Sequence, residues 1–476
     1  MKYILSIDVG DLSVKSALMD EKGGIVCAIQ KSLCPIHPFH GQIELDPEEI
    51  FNKVKEAIVD VIEQSEIAKV DIVCLGIATT RDTVIVWNKE TTKPLWNAIT
   101  KNDTRTSDSC TSLKIHESSI LEKTGVPLST YGPAPKIRWI LDQVKDVNLD
   151  HCLFGGLNTW ILWRLTKGSS FITDMSNISK SLLFNIHTQT WDDELIKIFG
   201  IQKSILPKIE SSNEIFGYVD VDFFGIKIPI CSMVSDSGGA MFAAGCTKKG
   251  DLHLHAGASA FLLMNTGNCP QKSKNHLMNT VGLSLKNKPP LYFLEGMIPS
   301  TGSVIQWLES HLGIIRSAKE VEGLAYSVPD SLGVYFAPVQ GKRMEASLLG
   351  LSLSSNIGHI CRAVLEGIAL LIRDSFEGYN DVSTSKITCS GGMVENIFFV
   401  QICSDLLGRT IVRPKEIKLP LLGAAYLAGL TLGVFKDQEE IRKLFSSDRE
   451  FTPSLKEKDK DAMIKNWIKA VSAAVF

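Results

Sequence analysis

One stretch limits this chain's fold more than any other: Val234-Ser235-Asp236-Ser237-Gly238-Gly239-Ala240-Met241-Phe242-Ala243-Ala244-Gly245. The apolar run 228–234, with Pro229 near its start, reads as a short strand. It stops at Ser235-Asp236, and the small apolar residues beyond Gly238-Gly239 read as the start of a buried helix. Two adjacent glycines let the backbone turn tightly and approach a ligand closely. A carboxylate placed where a strand runs out and a helix begins sits at a crevice edge, where open α/β sheets hold their ligands. An anion is also locally favoured at a helix start. Asp236 can there take a proton from a substrate hydroxyl or hold a metal ion. It can equally be a helix N-cap.

Two strand–turn–strand units of similar build stand near the start of each half. In the first, the apolar run 3–7 breaks at Asp8-Val9-Gly10-Asp11, resumes over 14–19 and turns again at 21–24 before 25–29. Gly10 exposes backbone N–H groups, with Ser13 and Lys15 within reach. Such a turn can cradle phosphate oxygens while Asp8 holds a metal through water. An ordinary polar hairpin tip has the same composition. In the second unit, strand 252–256 meets a small-residue turn, Gly257-Ala258-Ser259, then strand 261–264 and a further turn at Asn265-Thr266-Gly267. The echo suggests two similar lobes closing on one ligand.

Other strand ends carry polar chemistry. Run 72–78 ends at Thr79-Thr80-Arg81-Asp82, where a fork of donors beside an acceptor suits either a substrate with neighbouring hydroxyls or a surface ion pair. Strand 387–389 ends at Ser390-Gly391-Gly392-Met393 ahead of a helix over 396–407, a second backbone site for a nucleotide. Helices are expected over 47–64, 157–165 and 356–374, with Trp160 and Trp163 in the core. Stretch 173–184, rich in Ser and Asn, reads as a loop, and 423–429 as a small-residue helix packed closely against a neighbour. His253 and His255 alternate on one strand face without a third partner and read as packing or solvent contacts. The charged tail 455–461 reads as a solvated face.

A length of 476 residues suits two domains, divided here as 1–245 and 246–476. A net charge of −3 provides no field to draw in nucleic acid or an anionic membrane. Asp8 comes too early for a signal peptide, and no run approaches the roughly 18 apolar residues of a membrane span. Eleven cysteines without a CxxC pair indicate reduced thiols and a cytoplasmic location. Walker, GxGxxG and GxSxG motifs are absent.

Longer patterns carry a resemblance. Tyr131-Gly132-Pro133-Ala134-Pro135-Lys136-Ile137-Arg138-Trp139-Ile140-Leu141-Asp142-Gln143 fits one signature of the FGGY carbohydrate kinases, and 346–366, with Gly350, His359 and Glu366, fits the other. Segments 124–131, 183–188 and 261–267 look like the glycerol kinases within that family. The resemblance implies an α/β fold of two ribonuclease-H-like (actin-like ATPase) lobes around a central cleft. It implies ATP and Mg²⁺ in that cleft and transfer of the γ-phosphoryl group to a small polyol or sugar, glycerol first. A ketose such as xylulose is the alternative acceptor, and a catalytically weak nucleotide- or sugar-binding relative is the alternative class. It implies Asp236 as general base, with Asp8 and Asp236 at the metal. Gly10, Asp11, Ser13, Lys15, Gly257, Ala258, Ser259, Gly302, Gln306, Gly392, Met393 and Asn396 would line the nucleotide. Arg81, Asp82, Asp103, Tyr131, Asp236, Ser237 and Phe261 would line the acceptor. A homodimer or homotetramer is left open. The chain departs from the family pattern at Asp11 (usually Thr), Lys15 (usually Arg among glycerol kinases), Asp82 (usually Glu), Lys101 (usually Trp), Ala258 (usually Thr) and 340–345 (usually an aromatic Tyr-Trp-Asp segment). Asn102-Asp103-Thr104-Arg105 looks more like xylulose kinase. A pocket more polar than that of the glycerol kinases is therefore expected.

Overall fold

The computed structural model describes every residue except 145–147, 272–276, 300, 340–344, 380–383 and 475–476. Most of the expected departure at 340–345 thus lies outside the described residues. Two open sheets carry the fold. The first contains β1 (Tyr3–Val9), β2 (Ser13–Asp20), β3 (Ile25–Ser32), β4 (Ile72–Thr79), β5 (Gly217–Tyr218) and β6 (Pro229–Ser235), in the order β5-β6-β4-β1-β2-β3. β1, β2 and β3 form an antiparallel meander, and β4 and then β6 add parallel to β1. The central strands β1 and β4 are near-continuous apolar runs because both faces are covered. The outer strand β3 alternates between half-buried and exposed residues, as one solvated face requires.

The second sheet repeats this plan. It contains β7 (Leu252–Ala256), β8 (Ala260–Gly267), β9 (Met278–Leu283), β10 (Leu291–Ile298), β11 (Lys386–Ser390), β12 (Thr410–Pro414) and β13 (Ser447–Phe451), in the order β9-β10-β8-β7-β11-β12-β13. β7, β8 and β10 are the antiparallel meander, and β11 and β12 are the parallel additions. The shared core order is that of two ribonuclease-H-like lobes. Asn265 and Thr266, expected in a turn, continue β8 instead.

Helices cover the sheets. α1 (Pro47–Ser65) starts with Pro47 at its first position and Asp46 as its cap, accepting from Glu48 N. It lays Ile50, Phe51, Val54, Ile58 and Val61 on the first sheet. α2 (Pro133–Gln143) carries the first signature, and α3 (Asp236–Ala243) follows β6. In the second lobe come α4 (Gly302–Ser310), α5 (Ile357–Phe376), α6 (Ile397–Leu407), α7 (Leu419–Thr431) and α8 (Glu457–Ala474). The charged tail thus opens a helix, whose Trp467 is buried and donates to Phe336 O at 3.2 Å. Among the described residues, no helix is long and apolar enough to cross a membrane.

One helix ties the halves together. α7 crosses back onto the first sheet, where its Leu422, Ala425 and Tyr426 join Ile4, Met19, Cys74, Val234 and the α3 residues Ala240–Ala243 in one apolar cluster. Small residues make that approach feasible. A Cβ on Gly76 would meet Ala424 O at 2.3 Å, and one on Gly423 would meet Gly239 O at 2.0 Å. The close partner of the small-residue helix is therefore the first lobe, so 246–476 is not confined to the second.

Candidate active site

Parallel register places the first site residues. Thr79 stands opposite Val9 on one side and Ser235 on the other, so β1, β4 and β6 end in one row. Asp8, the Thr80–Asp82 turn and Asp236 are delivered to the same sheet edge. Asp236 is not the cap of α3. Ser235 is, its Oγ accepting from Gly238 N at 3.1 Å, while Asp236 occupies the first helical position and accepts from Ser237 N at 2.7 Å. Its half-buried carboxylate faces a pocket between the lobes. Arg81, Asp82, Lys101, Tyr131 and Lys180 line that pocket from the first lobe, and His255, Phe261 and Met297 from the second.

The Ser/Asn-rich stretch 173–184 supports this edge from within. Asn177 accepts from Thr79 Oγ1 at 2.8 Å, and Ser176 Oγ accepts from Ser235 N at 2.8 Å. Asp174 ties Ser176, Asn177 and Ser212 together, and burial pushes its carboxyl up. The stretch is a buried polar network that holds two strand ends, where a loop was expected.

The pocket charges are almost all paired. Arg81 forms a bidentate, fully buried ion pair with Glu295 of β10, at 2.7 and 2.8 Å. Burial alone would push the guanidinium down, and Glu295 more than reverses this. Glu295 is held low against its own burial by Arg81 and Lys180. The fork expected to grip substrate is thus engaged across the cleft. Asp82 is 5% exposed, adopts φ +73° and lies 3.2 Å from Lys180. Its Oδ1 is buried without a hydrogen-bond partner among the described residues, an acceptor left for a ligand hydroxyl. Lys136, wholly buried, donates to Asp82 O at 3.2 Å and Tyr131 O at 3.0 Å, and burial lowers its pKa to about 8.

On the first hairpin, Lys15 pairs with Asp8 at 2.9 Å, and Asp8 with Asp236 raises its pKa. Asp11 accepts from Thr83 Oγ1 at 2.9 Å and lies 3.7 Å from Lys101. Burial pushes the Lys101 ammonium down, but Asp11, Asp236 and Asp82 leave it raised. Two unusual residues thus face each other.

Residues 3–243 match the N-terminal domain of the FGGY family of carbohydrate kinases, and residues 252–432 match its C-terminal domain. The chain belongs to the FGGY family. It is 39% identical to glycerol kinase 2 of Thermotoga maritima, over 100% of this chain and 99% of that one. A crystal structure of Plasmodium falciparum glycerol kinase with ADP superposes with a TM-score of 0.90 at 31% identity, covering 100% and 99% of the two chains. Xylulose kinase from Lactobacillus acidophilus shares the fold, with a TM-score of 0.87 at 24% identity and coverage of 99% and 98%.

In the second lobe, the Gly257-Ala258-Ser259 tip leans on the start of α4. Gly302 N donates to Gly257 O at 3.0 Å, and Thr301 N and Ser303 N donate to Ala258 O. A Cβ on Gly302 would meet Gly257 O at 2.6 Å. Gln306 is exposed on α4, and Met393 packs partly into the second core. Gly391 has φ +92°, whereas Gly392 faces open space.

Several expectations change. Asp103 does not line the inter-lobe pocket. It is wholly buried and accepts from Ile43 N and from the Arg105 guanidinium, which a solvent-facing role would not permit. Asn396 Oδ1 caps α6 by accepting from Phe399 N at 2.9 Å, so that oxygen is already committed. Gly10 N closes the hairpin onto Ser13 O at 2.9 Å, so its own N–H is not available to a phosphate. Gly238 and Gly239 are helical and serve packing, not a turn, since a Cβ on Gly238 would meet Gly282 O at 2.2 Å. His255 lines the pocket, while His253 is locked between Thr388 and Ser390 hydroxyls at 2.8 and 2.7 Å and is kept neutral by burial, its pKa lowered to about 3.

Sequence reading missed Glu295, Lys136 and Lys180. A signal existed for two of them: Glu295 interrupts the apolar run of β10, and Lys136 stands on the apolar face of α2. Lys180 had none.

Proposed function

We propose that this FGGY family member transfers the γ-phosphoryl group of ATP to a hydroxyl of a small polyol, with glycerol the first acceptor. The observation that carries the reading is the row of strand ends that brings Arg81, Asp82 and Asp236 to one inter-lobe pocket with Tyr131 and Phe261, with Asp8 on the same sheet edge. The likeness to glycerol kinases over the whole chain supports the acceptor class.

In this reading the buried, unpartnered Asp82 Oδ1 accepts from an acceptor hydroxyl, and Phe261 packs the carbon skeleton. Asp236 orients the attacking hydroxyl and takes its proton. The oxygen forms a bond to the γ-phosphorus as the bond to the bridging oxygen breaks, and ADP leaves with the electron pair. The hairpin tips at Gly10–Ser13 and Gly257–Ser259 face the phosphates. Among the described residues, no three His, Cys, Asp or Glu side chains form a protein-only metal cage. A nucleotide-bound Mg²⁺ keeps several waters and needs only one or two carboxylates. Asp8 and Asp236, both close enough to raise the Lys15 pKa, fit that requirement. The ion would neutralise phosphate charge. Closure of the lobes over the pocket would keep water from the phosphoryl group. All eleven cysteines are unpaired, in keeping with a cytoplasmic enzyme.

ADP release measured with glycerol, longer polyols and ketoses tests the reading. Glycerol is expected to give the highest kcat/KM. A ketose in first place would move the acceptor class, and no turnover with retained ATP binding would make the protein a binding relative.

A further inference from the structure

Lys101 reaches from the pocket wall toward the tip of the first hairpin. It follows the short strand Ala98–Ile99, and its side chain lines the wall shared by Asp236, Arg81 and Tyr131. Its Nζ lies 3.7 Å from Asp11 Oδ2 at the tip of the first hairpin. An ammonium carries three donors. Among the described residues, its one hydrogen bond goes to Thr80 Oγ1 at 3.2 Å, and Asp11 lies beyond hydrogen-bond reach. Each neighbouring cation lies closer to a carboxylate than Lys101 does: Lys15 to Asp8 at 2.9 Å, Arg81 to Glu295 at 2.7 Å and Lys180 to Asp82 at 3.2 Å, against 3.7 Å from Lys101 to Asp11. Lys101 therefore brings uncommitted N–H donors to the boundary between the phosphate hairpin and the acceptor pocket. In phosphoryl transfer the negative charge spreads over three equatorial oxygens at that boundary, and preorganised donors stabilise it. Asp11 is anchored by Thr83 Oγ1 and holds the ammonium at the hairpin end instead of letting it collapse onto Asp236.

We propose that Lys101 is a further catalytic residue of this kinase, its ammonium contacting the phosphoryl group in transit, with Asp11 as the residue that positions it. Lys101 exchanges no proton. The acceptor proton goes to Asp236, the new O–P bond forms from the acceptor oxygen, and the electron pair of the broken bond leaves with ADP. The inference rests on the kinase reading above and adds a residue to it.

The test uses the full chain with glycerol, ATP and Mg²⁺, reading initial rates of ADP release and, separately, ATP binding by calorimetry. Lys101→Met is expected to lower kcat about 100-fold, the effect of removing one preorganised donor. Glycerol KM and ATP Kd should stay within about threefold, as for an interaction made only in the transition state. Lys101→Arg should recover most of kcat. Asp11→Asn should lower kcat by a smaller factor and have no further effect in the Lys101→Met background, because it acts through Lys101. A Lys101→Met kcat within about threefold of wild type overturns the proposal, as does a loss confined to glycerol KM, which would make Lys101 an acceptor contact only. Lys101→Gln carries the same expectation should Lys101→Met not fold. A wild-type protein that releases no ADP with any acceptor overturns the kinase reading itself, and this proposal with it.

Discussion

At the carboxyl ends of β1, β4 and β6 the first lobe presents Asp8, Arg81, Asp82 and Asp236, while the ends of β7 and β11 in the second present His255, Gly257, Ser390 and Gly391. The order of the core strands behind both edges is the same. One edge is charged, and Asp8, Arg81 and Asp82 on it are held in ion pairs. The other carries no paired charges among the described residues, and apart from His255 it is built of small residues that leave backbone open to a ligand. Duplicating a sheet therefore duplicates a place for a ligand without duplicating the ligand's chemistry. A charged edge suits a hydroxyl that must be oriented and deprotonated. A small-residue edge suits phosphates, which backbone N–H groups can approach closely.

The comparison can be broken at four points. The largest effect is expected at Asp236. Asp236→Ala should lower kcat about 10²–10⁴-fold, the range for a positioned general base. The protein should still fold, because the helix cap is Ser235. Steady-state rates and a circular-dichroism melt check both halves of that statement, and near-normal turnover would remove the base assignment.

Next comes the cross-cleft pair. Arg81→Met leaves Glu295 charged and buried, and should cost about 3–5 kcal/mol in urea unfolding. Adding Glu295→Gln should recover much of that loss. A loss of acceptor affinity alone, with unchanged stability, would mean the guanidinium serves substrate more than structure.

The neutral edge is sharpened by neighbouring glycines. Gly391→Ala should cost about 1–3 kcal/mol, since its φ of +92° suits glycine and a Cβ would stand 2.4 Å from Ala256 O. Gly392→Ala, with nothing within 4 Å, should change stability by under about 0.5 kcal/mol and weaken ATP binding instead. Equal effects at the two positions would deny that one serves the fold and the other the ligand.

The smallest effect concerns acid. The His253 pKa is lowered in the folded state to about 3, so the unfolded chain takes up protons first as pH falls. Its contribution is complete above the unfolded value near 6.5 and should fall by about 1 kcal/mol between pH 6.5 and 5.5. Subtracting the pH profile of His253→Asn from that of wild type isolates this slope, and identical slopes would place the histidine in contact with solvent.

Local pattern alone identified much of the scaffold. The helices over 47–64, 157–165 and 356–374 and the apolar runs of β1, β4 and β6 are written within a few neighbouring residues, so they could be read there. The long signature over 131–143, the echo of two hairpins and the placing of Asp236 at a strand end came from the same local signals. Partnership could not be read this way. Glu295 meets Arg81 across 214 residues, and Lys101 lies 3.7 Å from Asp11 of the first hairpin. Nor could the commitment of Asp103 to Ile43, or the return of α7 to the first lobe, be inferred from neighbours in the chain. Propensity and periodicity are properties of adjacent residues, whereas a buried charge is set by whatever group the folded chain brings within about 4 Å of it.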